Sequence, residues 1–135
     1  MTHLLDTDTI SQFSRGHPLV LERLKESSPT SLAITTVTLM EIEYGLALQT
    51  AKARKLRPIL EELFKAINIL PYNDSDAKVT AAIRASLKTK GTPIGAYDAL
   101  IAGAAMARGL IVVTGNTREF NRIGGLRVEN WIKGR

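Results

Sequence analysis

Four short apolar runs punctuate the chain: HLLD at residues 3–6, SLAI at 31–34, INIL at 67–70 and LIVVT at 110–114. Each is brief and ends at a polar or turn-forming residue. That is the pattern of strands buried on both faces. The stretches between them carry helical signals. Thr7–Arg15 reads as a short helix stopped near Gly16 and Pro18. Leu19, Leu21 and Leu24 mark a second helix. Thr35–Thr36 provides a cap for a helix running to about Gln49. A basic helix follows over Ala51–Ala66, with Pro58 predicting a kink or a break. Asp74 or Ser75 caps a helix to about Lys88, and GTPIG is a loop. Tyr97–Arg108 is a helix of small residues, closed by Gly109. TREF is a helical turn, and Leu126–Val128 a fifth, edge strand. Strands alternating with helices predict an α/β fold, with a parallel sheet of four to five strands covered on both faces.

A length of 135 residues and a hydrophobic share of 44% match one domain with a real core. Residues 1–135 are therefore read as a single domain. The absence of cysteine excludes disulfides and thiolate metal sites. No basic-then-apolar leader or long apolar run is present, so a cytoplasmic, non-membrane protein is expected. The formal net charge of +5 favours an acidic partner such as nucleic acid. Lys52, Arg54, Lys55 and Arg57 form one basic cluster. Arg118, Arg122, Arg127, Lys133 and Arg135 form a second. Aromatic residues make up only 5%, which argues against a stacking platform for single strands.

The acids then stand out. Asp6 closes the first strand, Asp8 follows it, Asp98 lies in the first turn of its helix, and Glu119 follows the fourth strand with Thr114, Gly115 and Asn116. Strand carboxyl ends share one edge of a parallel sheet, so Asp6 and residues 115–119 are expected together. Glu41 falls beside Val37, Tyr44 and Leu48 on a helical wheel, an apolar stripe that would turn it inward. Thr38 and Glu41 also match a capping box, in which Glu41 bonds the backbone instead. Asp8 reads as a helix cap, Glu43 as a solvent-facing acid, and His3, His17, Phe120 and Trp131 as structural. Asp98 and Glu119 also fit a helix-dipole role, and Thr114 and Asn116 a turn.

Carboxylates that converge repel one another, and a divalent cation resolves that repulsion. Oxygen donors without cysteine or a suitable histidine fit Mg²⁺ or Mn²⁺ better than zinc. Such a cation promotes phosphoryl displacement, and a basic rim holds the nucleic-acid backbone.

LLDTD, TLMEIEYG, GTPIGAYDALIAGAAMARGLIVVTGNTREF and GGLRVENW, in this order, resemble the VapC toxins, the PIN-domain endoribonucleases of type II toxin–antitoxin pairs. The resemblance runs through Trp131. It implies a PIN-like three-layer α/β/α sandwich and an Mg²⁺-dependent ribonuclease site, with Mn²⁺ as the substitute. It makes Asp6 and Asp98 the metal ligands and Glu41 a third acid that holds water at the metal. Glu119 joins this catalytic set, with Asp8, Thr114 and Asn116 accessory. Gly115 stands where close members often carry an amide, and Asp8 where Asn is more frequent. The family further implies a VapB antitoxin that lays a segment across the site, a homodimer, and a structured RNA substrate. A tRNA is expected, initiator tRNA and its anticodon region foremost.

Three other readings start from the same residues. LLDTDTI fits the hhhDxDxT signature of haloacid-dehalogenase-like phosphatases, but LIVVT is followed by Gly-Asn rather than paired acids. A non-catalytic RNA-binding module conflicts with intact Asp6, Glu41 and Asp98. A PIN-type RNA-processing nuclease shares the chemistry and differs in its biological setting.

Overall fold

The computed structural model describes residues 1–134. Five parallel strands form its centre: β1 (His3–Leu5), β2 (Leu32–Thr35), β3 (Asn68–Leu70), β4 (Ile111–Val113) and β5 (Val128–Glu129). Their spatial order is β3-β2-β1-β4-β5. The chain first winds from β1 out to β3, then returns to the other side of β1 through β4. The order thus reverses between β1 and β4. Open parallel sheets leave a crevice at such a reversal, outside the strand carboxyl ends. In this chain Asp6 leaves β1 and Thr114–Asn116 leave β4 at that point.

Alternate residues of each strand serve opposite layers, as the two-residue strand period requires. Leu4, Ala33 and Val112 join Ile83, Leu87, Ile101, Ala105 and Phe120 on one face. Leu5, Leu32, Ile34 and Val113 join Ile10, Val20, Ile42, Leu60 and Trp131 on the other. Helices α5 (Asp74–Thr89) and α6 (Ala96–Arg108) cover the first face. The second is covered by α1 (Thr7–Ser14), α2 (Pro18–Glu26), α3 (Thr36–Leu48) and α4 (Thr50–Ala66). A one-turn helix, α7 (Thr117–Phe120), follows β4. The three-layer α/β/α sandwich expected from the sequence is the observed fold.

The small-residue helix α6 lies hard against α5. A Cβ on Gly103 would fall 1.8 Å from Thr80 Oγ1, so only glycine permits this approach. Gly109 ends α6 in the left-handed region, at φ 66°, with Leu110 N–H bonding the Ala105 carbonyl.

Several local expectations are corrected. Asp6 itself, not Asp8, caps α1, its carboxylate accepting from Thr9 N at 2.8 Å. The first strand accordingly ends at Leu5. Asn73 caps α5 in a reciprocal capping box with Asp76, so Asp74 and Ser75 lie inside the helix. Helix α4 runs unbroken through Pro58. Pro58 is exposed, so water can take the carbonyl its ring leaves unpaired. The edge strand is shifted to Val128–Glu129. On α3, Tyr44 and Leu48 are 63% and 66% exposed, so the stripe containing Glu41 is no core face. Of that stripe Val37 alone is buried, and the other buried positions of α3 are Thr38, Ile42 and Leu46.

Candidate active site

Asp6 is only 3% exposed, at the carboxyl end of the central strand. Its backbone N–H bonds the Val113 carbonyl at 3.0 Å, which locks β1 to β4 at the crevice. Burial pushes its carboxyl up to about 6; the Thr114 hydroxyl and the Thr9 amide pull it part of the way back, and the charge of Asp8 adds to the rise. A buried acid with so little compensation is costly for the fold. Thr9 is fixed in turn, its hydroxyl donating to the Val113 carbonyl at 3.1 Å.

Asp98 enters from the first turn of α6 and is half-buried. Asn116 Nδ2 donates to Asp98 Oδ2 at 3.1 Å and also to Glu119 Oε2. One amide therefore stands between two carboxylates. Asn116 is oriented from behind, its backbone N–H donating to Thr114 Oγ1 at 2.9 Å. Burial raises the Asp98 carboxyl above its usual range; Asn116 offsets part of this, and the charges of Glu119 and Asp8 add to it. Asp98, Thr114, Asn116 and Glu119 thus form one cluster beside Asp6.

Glu41 approaches from α3. Thr7 Oγ1 donates to Glu41 Oε1 at 2.6 Å and lies 3.3 Å from Thr38 Oγ1. The capping box proposed for Glu41 is absent: Thr35 caps α3 by accepting from Thr38 N. Thr7 went unnoticed in the sequence, although a hydroxyl between Asp6 and Asp8 was a usable signal. Asp8 is exposed in the first turn of α1, close enough for its charge to act on both Asp6 and Asp98.

Glu43 faces solvent as expected, paired with Arg57 at 3.0 and 3.1 Å. His3 lies 3.2 Å from Glu129, which also accepts from Arg23 and from Trp131 Nε1, each at 3.0 Å. His17 is the N-cap residue of α2. Phe120 and Trp131 are buried. His3 is thus held in a structural network, while His17 Nδ1 is buried without a hydrogen-bond partner.

Lys52 and Lys55 line a groove of about 470 Å³ that runs between α1, α3 and α4 and reaches Thr7 and Glu41. In the second basic cluster, Arg122 bonds the Pro93 carbonyl and Arg127 the Gly109 carbonyl. Arg118 and Lys133 remain exposed, and Arg135 lies outside the described residues.

Among the described residues, no three His, Cys, Asp or Glu side chains are gathered closely enough to hold a metal by themselves. The donor chemistry nonetheless fits Mg²⁺, which binds through one or two carboxylates and keeps several waters. Two poorly compensated acids, Asp6 and Asp98, flank the crevice. A cation would relieve both.

The PIN domain family model matches residues 3–126. Over 128 residues the chain is 40% identical to the tRNA(fMet)-specific endonuclease VapC of Salmonella typhimurium, covering 95% of this chain and 96% of that protein. Identity to Ribonuclease VapC2 of Haemophilus influenzae is 31% over 133 residues, covering 98% and 99%. The fold matches the crystal structure of DNA-bound VapBC from Salmonella typhimurium with a TM-score of 0.89, covering 97% of this chain and 98% of that one. The chain belongs to the PIN-domain family and, within it, to the VapC ribonucleases.

Proposed function

We propose that this chain is the toxin of a type II toxin–antitoxin pair, a single PIN domain that cuts tRNA in the cytoplasm with Mg²⁺ or Mn²⁺. The observation that carries the reading is the joining of Asp98, Asn116 and Glu119 beside the buried Asp6 at the β1/β4 crevice, where Thr114 bonds both Asp6 and Asn116, on a chain 40% identical to a tRNA(fMet)-specific endonuclease. Initiator tRNA is the favoured substrate, cut in its anticodon region.

Asp6 and Asp98 are the residues that would hold the cation. When bound, the cation neutralises negative charge that builds up on a phosphodiester under attack. Glu41, held by Thr7, accepts the proton of the attacking water. Glu119 is held through Asn116 and completes the acidic wall. Thr114 orients both Asp6 and the Asn116 backbone. Exposed lysines and arginines on the rim hold the RNA backbone.

The regulatory partner is a VapB antitoxin. The groove beside Glu41 offers its inhibitory segment an apolar floor, with Ile42, Leu46, Leu56 and Leu60, and a basic rim at Arg15, Lys52 and Lys55. The exposed apolar side chains Met40, Tyr44, Leu48 and Tyr97 support a homodimer. Among the described residues no helix is long and apolar enough to cross a membrane.

The test is incubation of purified protein and Mg²⁺ with initiator tRNA, elongator tRNAs and a ribosomal RNA fragment, followed by mapping of the new ends. Cuts confined to initiator tRNA are expected. Equal cutting of every RNA would remove the substrate assignment.

A further inference from the structure

The first turn of α6, which carries Asp98, borders more than the crevice. Arg108 meets Asp76 at one end of the α5–α6 pair and Gly103 meets Thr80 midway, so the two helices run antiparallel. That register sets the last turn of α5 beside the first turn of α6. Gly91 turns the chain between them at φ 72°, and the Thr92 N–H donates to the Leu87 carbonyl at 2.9 Å. The loop over residues 93–95 then ends on the acid: a Cβ on Gly95 would lie 3.7 Å from Asp98 Oδ2. Arg122 Nη1 donates to the Pro93 carbonyl at 2.8 Å and lies 4.0 Å from Glu119 Oε1. The loop is therefore tied to the acidic cluster from α7 as well.

Between this loop and α5 lies a cavity of about 360 Å³, lined by Arg84, Ala85, Leu87, Lys88, Pro93 and Ile94. Its floor is aliphatic, and Leu87 anchors it in the core. Arg84 and Lys88 are exposed four residues apart on α5, where like charges repel. Among the described residues neither has an ion-pair partner. The helix dipole accounts for Lys88, which lies in the last turn of α5, but not for Arg84 a turn earlier. An apolar seat beside two unpaired cations fits a group that is flat and apolar at one end and anionic at the other. A nucleotide is such a group, whereas an acidic peptide brings charge without the flat body. The cavity also belongs to the α5–α6 layer, across the sheet from the groove assigned to the antitoxin.

We infer that this cavity is a substrate subsite. It seats an unpaired nucleotide of the RNA near the cut, with the base against Ala85, Pro93 and Ile94 and a phosphate on Arg84 and Lys88. A base stacked inside a duplex cannot enter it, so the subsite selects RNA that is single-stranded beside the scissile bond. These contacts form on binding and persist through the reaction, so they act on KM rather than on kcat. The inference rests on the ribonuclease reading given above, and the wild-type reaction is the control for that reading.

The experiment is steady-state cleavage of initiator tRNA in Mg²⁺ between about 0.05 and 0.2 M salt, with circular dichroism melting as a check on folding. Wild type, Arg84→Ala/Lys88→Ala, Ala85→Trp and Lys78→Ala are compared. Lys78 is an exposed cation of the same helix, about 15 Å along it from Lys88 and outside the cavity. Arg84→Ala/Lys88→Ala should raise KM about tenfold at unchanged kcat, and should flatten the slope of log KM against log salt by about two, the mark of two lost phosphate contacts. Lys78→Ala should do neither. Ala85→Trp fills the cavity and keeps both cations; it should raise KM several-fold. If Arg84→Ala/Lys88→Ala behaves as Lys78→Ala, the phosphate contacts are wrong. If Ala85→Trp cuts with the wild-type KM, no base sits in the cavity. Either result overturns the subsite while wild-type cutting leaves the nuclease reading standing. A double variant that cuts as wild type but escapes inhibition by polyglutamate gives the cavity to an acidic peptide instead. If the wild type cuts no RNA, both readings fail.

Discussion

The side-chain amide of Asn116 donates to Asp98 at 3.1 Å, and the same nitrogen donates to Glu119. A neutral amide here does part of the work a cation would do: it places partial positive charge between two acids. Replacing Asn116 with alanine removes both bonds. The Asp98 carboxyl should then titrate still higher than in the wild type, because burial and the Glu119 and Asp8 charges would act unopposed. Carbon-13 NMR of the carboxyl groups reads this shift directly. Cleavage should fall about tenfold, a modest loss for a positioning contact. An unmoved Asp98 would show that the amide is not what restrains it.

Asp6 makes the fold pH-dependent in an unusual direction. Its folded carboxyl is pushed up to about 6 from 3.8. A raised acid binds its proton more tightly when folded, so stability contributed by this group rises as pH falls from about 6 to about 4. Above pH 6 the native state carries a buried charge that costs about 3 kcal/mol. Asparagine removes the charge and still caps α1. In EDTA, Asp6→Asn should therefore be more stable than wild type at pH 8, by up to about 3 kcal/mol. The gap should close below pH 4. Denaturant melts at the two pH values check it. Equal stability of both proteins at pH 8 would contradict the burial argument.

Asp76 and Arg108 form a different kind of acid pair. Arg108 Nη1 lies 2.6 Å from Asp76 Oδ1, and Asp76 is 1% exposed. The same carboxylate completes the capping box with Asn73. Asp76→Ala unpairs a partly buried guanidinium, which keeps its bonds to the Ala104 and Pro71 carbonyls, and removes the acceptor of the Asn73 N–H, while Asn73 still caps α5. The expected cost is about 1–3 kcal/mol. Thermal melting measures it, and residual folded protein at low temperature should cleave at the wild-type rate, because the pair lies away from the crevice acids.

The α5–α6 seam makes a steric prediction. Gly103→Ala places a methyl 1.8 Å from Thr80 Oγ1 and 2.9 Å from Thr80 Cβ. Overpacking of this kind costs about 1–3 kcal/mol. Thr80→Ala removes the hydroxyl but leaves the Cβ, so it should restore only part of the loss in the double variant. Full additivity of the two changes in denaturant melts would place the clash elsewhere.

The apolar runs placed four strands, and the glycine after AYDALIAGAAMAR placed the end of α6, because those signals are local. Asp6 and Glu119 lie at the same crevice for a reason that is equally simple: strand ends in a parallel sheet share an edge, whereas Asp98 comes from the first turn of α6. Other features depend on packing that no window of sequence contains. The wheel through Val37, Glu41, Tyr44 and Leu48 shows a stripe but not which way it faces, and the helix turned Ile42 and Leu46 to the core instead. Pro58 promised a break, and an exposed position absorbed the lost bond. Asp8 read as the cap of α1, but the cap falls to Asp6, the residue whose N–H also bonds Val113 where β1 ends. The bond between Asn116 and Asp98 joins residues eighteen positions apart, which only the closed crevice brings into contact.

The central claim is that Asp98 belongs to a metal-dependent ribonuclease centre. Initiator tRNA cleavage by the wild type in Mg²⁺, by the wild type in EDTA, and by Asp98→Asn in Mg²⁺ tests it in one gel. The account predicts defined cuts in the first lane alone, with Asp98→Asn slower by at least about a hundredfold. Undiminished cutting in EDTA, or by Asp98→Asn, would contradict it.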